Sequence, residues 1–181
     1  LIKTIFLAGG CFWCTEAVFQ RLKGVLEVVP GYIDGQVKNP AYREVCTGKT
    51  GHAEAISVRY DTSQIQLVDL LLIFFNTHDP TTLNRQGNDT GTQYRSGIYY
   101  TEVEQKEVVQ LVIKQLTDEN VFEDNIVTEI KEASPFYDAE KGHHSYYNRN
   151  KEQAYCTYTI SPKMDKIKNY FSNYLNESYE R

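Results

Sequence analysis

The chain has 181 residues, 41% apolar and 24% charged, with a formal net charge of −5. That length suits one domain with a sizeable core, and the negative charge argues against nucleic acid or an anionic membrane as the main partner. No apolar run reaches the roughly 18 residues that would span a bilayer. No secretory signal is visible, so a cytoplasmic protein is expected; the chain begins at Leu1, which leaves room for an upstream segment. Its four cysteines, Cys11, Cys14, Cys46 and Cys156, are too sparse for a disulfide scaffold. The Cys11/Cys14 spacing favours redox chemistry or metal binding instead. With 14 Tyr and 8 Phe against one Trp and one Met, many tyrosines should pack at the rim of the core with their hydroxyls hydrogen-bonded.

Residues 1–8 are predicted to form a buried strand, broken by Gly9-Gly10. A helix should begin near Phe12, with Val18, Phe19 and Leu22 on its apolar face, and end at Gly24. Val25 to Tyr32 reads as a second strand. Residues 33–52, rich in Gly, Asn, Pro and Thr, read as a long loop with a short helical turn at 41–45. Ile56, Val58 and Tyr60 alternate with Ser57 and Arg59, the period-2 pattern of a half-buried strand. Ile65 to Phe75 is predicted helical. Residues 77–96 form a polar, irregular stretch, and a loop that long inside a domain is more often functional than idle. A short strand over Gly97–Tyr100, an amphipathic helix over 102–117 and a strand over Ile126–Ile130 follow. Residues 134–150 are rich in aromatics and histidine. Cys156–Ile160 reads as an edge strand, and Asp165–Leu175 as a C-terminal helix. Strands and helices without strict βαβ alternation predict an α+β fold, a mixed sheet with packed helices.

The placement of Cys11 matters more than the cysteine itself. A strand ends at Gly9-Gly10 and a helix follows, so Cys11 should sit at a helix N-terminus, where unpaired N–H groups stabilise a thiolate. The alternative is a buried cysteine acting as a small hydrophobe. Phe12 and Trp13 could be core residues or an apolar wall beside the sulfur, suited to a methyl thioether. Cys14, one helical turn on, lies on the same face. It could close a disulfide with Cys11, or the two could form a zinc site with Cys46 or Cys156 and His52; one unpaired C-x-x-C is weak support for zinc.

Several motifs together resemble the type A methionine sulfoxide reductases. Gly10-Cys11-Phe12-Trp13 is similar to the family's signature. Gly31-Tyr32 with Gly35, the run from Asn39 to Ala55, His78-Asp79-Pro80 and the run from Arg85 to Ser96 are similar to successive family motifs. So are Phe136-Tyr137, Ala139-Glu140, His143, Tyr146 and Tyr155-Cys156. The resemblance covers roughly residues 5–160. It implies an α+β sandwich or roll around a mixed sheet, reminiscent of the ferredoxin-like class. It also implies roles by position. Cys11 would attack the sulfoxide sulfur, Glu54 would protonate the oxygen, and Tyr42 and Tyr94 would hydrogen-bond that oxygen. Asp89 would orient the site. Phe12 and Trp13 would hold the S-methyl group, with His143 shaping the same cleft. His52 and His78 are read as structural and Cys46 as a buried or bystander thiol.

The implied chemistry leaves Cys11 as a sulfenic acid, which a second thiol converts to a disulfide that thioredoxin reduces. The substrate would be the S epimer of methionine sulfoxide, free or in proteins, and no metal or organic cofactor is implied. A monomer is expected. The chain departs from the commonest family pattern at two places. Cys14 stands where Gly is frequent, and Asn150 to Cys156 lacks the usual Asn-Pro and Gly. Two resolving candidates result, and Cys156 is favoured as the first partner, with Cys14 as rival or relay. The competing readings are a thioredoxin-like dithiol oxidoreductase using Cys11 and Cys14, a non-catalytic zinc module, and a cysteine hydrolase.

Overall fold

β1 (Ile2–Gly9) runs through the middle of a six-stranded sheet in a computed structural model that describes residues 1–176. It pairs antiparallel with β3 (Ala53–Asp61) on one side and β6 (Ser96–Tyr100) on the other. β2 (Val25–Ile33) lies beyond β3 and pairs with the two-residue β8 (Tyr137–Asp138), both antiparallel. β7 (Glu129–Glu132) joins β6 in parallel and makes the sheet mixed.

Side chains alternate across each strand. Ile5, Leu7, Ile56, Val58 and Tyr60 face a helical layer, where they meet Phe12, Val18 and Phe19 of α1 (Phe12–Phe19) and Leu70, Leu71 and Phe74 of α3 (Leu67–Thr77), with the short α2 (Tyr42–Cys46) between these in the chain. Val109, Val112 and Leu116 of α4 (Val103–Asp118) belong to the same core. Phe6, Ala8, Ala53, Ala55 and Tyr99 form a smaller cluster on the opposite face. Along β3 the second cluster takes Ala53 and Ala55, while over Ile56–Tyr60 the opposite face carries half-buried Ser57 and exposed Arg59, as the alternation predicts.

Local chemistry explains the departures from the sequence reading. α1 ends at Phe19, short of Gly24; the glycine instead takes a left-handed turn (φ +85°) into β2. Residues 77–96 are not structureless. They carry the hairpin of β4 (Arg85–Gln86) and β5 (Asp89–Thr90). Gln86 fastens that hairpin to Asp79, accepting from its N–H at 2.8 Å and donating to its carbonyl at 3.0 Å.

The expected edge strand over Cys156–Ile160 is a π-helical turn that runs into α6 (Ser161–Tyr170), with α5 (Tyr146–Arg149) upstream. Burial shows why: Cys156 and Ile160 are buried, four apart, while Tyr158 between them is 81% exposed. The alternation Cys-Thr-Tyr-Thr-Ile imitates a strand, but one buried face with a spacing of four belongs to a helix. Single-turn π segments are frequent at functional sites.

Candidate active site

The turn between β1 and α1 is built for close approach. Gly10 has φ +86°, a conformation that favours glycine. A Cβ there would lie 2.6 Å from Cγ of Gln86, so the β4–β5 hairpin closes directly onto the turn. Cys11 follows as the N-cap of α1 and is buried.

The helix N-terminus does not by itself make Cys11 a thiolate, contrary to the sequence expectation. Burial is the largest influence and pushes its thiol well above the usual range. Its hydrogen bond with Cys14 and the charge of Glu54 add to this, and the Trp13 N–H pulls the other way. Cys14 is held down to about 7, chiefly by that hydrogen bond from Cys11 against the opposing effect of burial. The two buried sulfurs titrate together and share one negative charge near neutrality.

Glu54 brings a buried carboxyl to the same place. It shares the parity of Ile56 and Val58 on β3, so its carboxyl points toward the helical layer beneath the start of α1. Oε1 accepts the Phe12 N–H at 3.1 Å. Oε2 is a buried polar atom without a partner among the described residues. Burial dominates and raises this carboxyl to about 8; the Phe12 N–H opposes the shift, and the charges of Asp89 and Cys14 reinforce it. Glu54 is therefore a protonated carboxylic acid at neutral pH. Tyr42 and Tyr94 lie within its electrostatic reach. Burial, followed by the Glu54 charge, raises both phenols far above neutrality, so both remain O–H donors.

An aromatic cluster forms the opposite wall. Trp13 stacks on Tyr146 with centroids 3.7 Å apart and planes 8° from parallel. Its Nε1–H donates to Nδ1 of His143 at 3.0 Å, which fixes His143 as a neutral imidazole protonated on Nε2. The His143 ring lies 4.4 Å from that of Tyr42 and 5.3 Å from that of Phe12. The segment carrying His143 and Tyr146 is held against α1 by Glu16, whose Oε2 accepts the N–H of left-handed Ser145 at 3.0 Å. Glu140 accepts from the Tyr42 N–H at 3.1 Å and the Tyr32 hydroxyl at 3.0 Å, tying α2 to β2.

On its other side the thiol pair opens into a cavity of about 360 Å³. Asp89, Tyr155 and Lys163 share its walls with Cys11 and Cys14. The Tyr155 hydroxyl donates to Asp89 Oδ2 at 2.7 Å and lies 3.7 Å from Cys14 Sγ. A larger cavity of about 560 Å³ adjoins it through Gln86 and Lys163 but contains no thiol.

The family model described as peptide methionine sulfoxide reductase matches residues 3–175. The chain belongs to that family. It is 51% identical to the peptide methionine sulfoxide reductase MsrA of Trichodesmium erythraeum over 97% of this chain and 99% of the relative. Reduced Mxr1 of Saccharomyces cerevisiae shares the fold with a TM-score of 0.79 and 34% identity, covering 88% of this chain and 91% of that one. Mxr1 in complex with Trx2 is similar with a TM-score of 0.56 and 26% identity over 80% and 84% of the two chains.

Within this peptide methionine sulfoxide reductase fold, Cys11, Phe12, Trp13, Tyr42, Glu54, Asp89, Tyr94 and His143 converge from five separate segments. The resolving candidates are placed unequally. Cys14 lies one turn along α1 from Cys11 and lines the same cavity, whereas Cys156 is fully buried in the core, with Sγ directed to Gln153 Oε1 at 3.6 Å. Cys46 is exposed rather than buried, at the end of α2 with its thiol beside the Tyr42 hydroxyl. Sequence reasoning missed the grip of Tyr155 on Asp89 and Cys14; the only signal was its place before Cys156. His52 accepts the Gly35 N–H at 3.0 Å and donates to the Val37 carbonyl at 2.7 Å. His78 bridges the Phe74 carbonyl and Ser96, and burial lowers it to about 4. Among the described residues no group of three or more His, Cys, Asp and Glu is placed to hold a metal ion.

Proposed function

We propose that this enzyme reduces the S epimer of methionine sulfoxide, free or in proteins, by attack of Cys11 at sulfur with Glu54 as the proton donor. The observation that carries the reading is the unpartnered Oε2 of a buried, protonated carboxyl beside the thiol pair. A sulfoxide oxygen leaves poorly unless protonated, and a carboxyl near 8 still holds its proton at pH 7. Tyr42 and Tyr94 donate hydrogen bonds to the same oxygen, Asp89 orients the site through Tyr155, and Phe12 and Trp13 take the S-methyl group, with His143 fixing the indole.

The bookkeeping closes. The Cys11 proton passes to Cys14, and the Cys11 sulfur attacks the sulfoxide sulfur. Oxygen takes the Glu54 proton and moves to Cys11, leaving a sulfenic acid and releasing the thioether. A second thiol displaces that hydroxyl, which leaves as water, and the two cysteines end oxidised as a disulfide. Cys14 is the better first partner, because it lies one helical turn from Cys11 on the wall of the same cavity, while Cys156 must leave the core. Cys156 then takes over the disulfide by exchange with Cys14 and presents it to thioredoxin, a partner supported by the similar Mxr1–Trx2 complex.

The protein is read as a monomeric cytoplasmic enzyme of one domain, in which residues 150–181 form the recycling segment and final helix. Residues 177–181 of that segment lie outside the described residues. No helix among the described residues is long and apolar enough to cross a membrane. The test is a single turnover with each epimer: the S epimer should yield methionine with loss of two thiols, and the R epimer none. Methionine formed without loss of thiols would refute the mechanism.

A further inference from the structure

The proposed mechanism leaves one cation beside the site without a task. Lys163 lies in the first turn of α6 and is half-buried. It is the only cationic side chain among the residues lining the cavity that holds Cys11 and Cys14, and Asp89 is the only carboxylate there. No ion pair among the described residues engages it: those found for lysines involve Lys3, Lys114 and Lys131.

The groups around Cys14 come from several elements. Cys11 and the Tyr155 hydroxyl hydrogen-bond to it, and Lys163 favours its charge. Asp89 opposes that charge, and Glu54 and Cys156 interact with it electrostatically. Glu54 becomes anionic as it gives up its proton in the first half-reaction. Cys14 must then form a thiolate beside a fresh carboxylate, with Asp89 also near. Among the described residues lining this cavity, Lys163 is the one positive group.

We propose that Lys163 is a positioning residue for the second half-reaction: its ammonium compensates the charge on the Cys14 sulfur as that sulfur attacks the Cys11 sulfenic acid. Cys14 loses its proton, its sulfur forms a bond to the Cys11 sulfur, and the S–O bond breaks. The departing hydroxide takes up a proton and leaves as water, so no further oxidant is required. The role falls on Lys163 because this chain has a cysteine at position 14. The inference rests on the reading of Cys14 as the first resolving thiol.

The test is a single turnover of the full chain with methionine S-sulfoxide, with methionine release, sulfenic acid trapped by dimedone and disulfide formation all followed. In Lys163→Gln, methionine should form within about twofold of the wild-type rate, because Lys163 favours charge on Cys14 rather than on Cys11. Disulfide closure at pH 7 should slow about three- to tenfold, with trapped sulfenic acid rising in step. Lys163→Arg should restore closure, as should pH 9, where the thiolate forms without assistance. Closure in Lys163→Gln at the wild-type rate at pH 7, or a defect of equal size at pH 7 and pH 9, would overturn the proposal. Failure of the underlying reading looks different: Cys14→Ser would then close a disulfide with Cys156 as fast as wild type closes its own.

Discussion

The N–H of Phe12 donates to Oε1 of Glu54 at 3.1 Å, so the residue that follows Cys11 also fixes the buried carboxyl of Glu54. One backbone group orients the carboxyl, leaves its second oxygen free and ties β3 to the start of α1.

Glu54→Gln keeps an acceptor for the Phe12 N–H but has no acidic proton. The rate of methionine formation in a single turnover should fall about a hundredfold or more, with all four thiols still reactive in the denatured protein. In the wild type this step should slow as pH rises through about 8.

The same carboxyl makes stability depend on pH. Its folded value, about 8, lies above the unfolded value of about 4.3, so between the two the folded state holds a proton that the unfolded state has lost. This contribution is fully present below the unfolded value and is lost as pH rises toward 8. Thermal melts of Glu54→Gln should therefore vary less between pH 5 and 8.5 than those of wild type. Parallel curves would show that Glu54 is not the group responsible.

Trp13 needs a neutral His143 to accept its indole N–H. Burial lowers the His143 value, so the bond should persist through pH 7 and fail only below the ordinary histidine range. His143→Ala should raise KM about three- to tenfold with a smaller change in kcat, as expected when a wall that holds the substrate loosens. A kcat loss at constant KM would instead place His143 in the chemistry.

The unequal placement of the resolving thiols predicts an order. After one turnover Cys156→Ser should contain an 11–14 disulfide, whereas Cys14→Ser should accumulate sulfenic acid before any link to Cys156 forms. Peptide mass spectrometry after rapid alkylation distinguishes these products. An 11–156 link appearing first in wild type would reverse the order.

Gly10→Ala must place a Cβ 2.6 Å from Gln86 Cγ at a left-handed position. It should cost about 1–3 kcal/mol in denaturant unfolding, together with activity. A variant as stable as wild type would mean that the turn and the β4–β5 hairpin separate readily.

Much of this was legible in the sequence because the patterns are local. Ile56, Val58 and Tyr60 announce β3 through period 2, and Gly9-Gly10 announces the turn that places Cys11 at the start of α1. What could not be read depends on partners distant in the chain. Tyr155 meets Cys14 across 141 positions, and the burial that such contacts create reverses the expected ionisation of Cys11. Glu54 alone reads as a solvated charge; only its strand parity, with α1 packed above it, makes it a buried acid. The run from Cys156 to Ile160 reads as a strand because threonines alternate with apolar residues, although Tyr158 faces solvent.

The central claim is that Cys11 performs the reduction. Reduced wild type and Cys11→Ser should each be mixed with excess methionine S-sulfoxide and no external reductant, and the methionine released per chain measured. Wild type should release methionine in proportion to the thiols it loses, and Cys11→Ser should release none. Methionine released by Cys11→Ser at the wild-type rate would contradict the account.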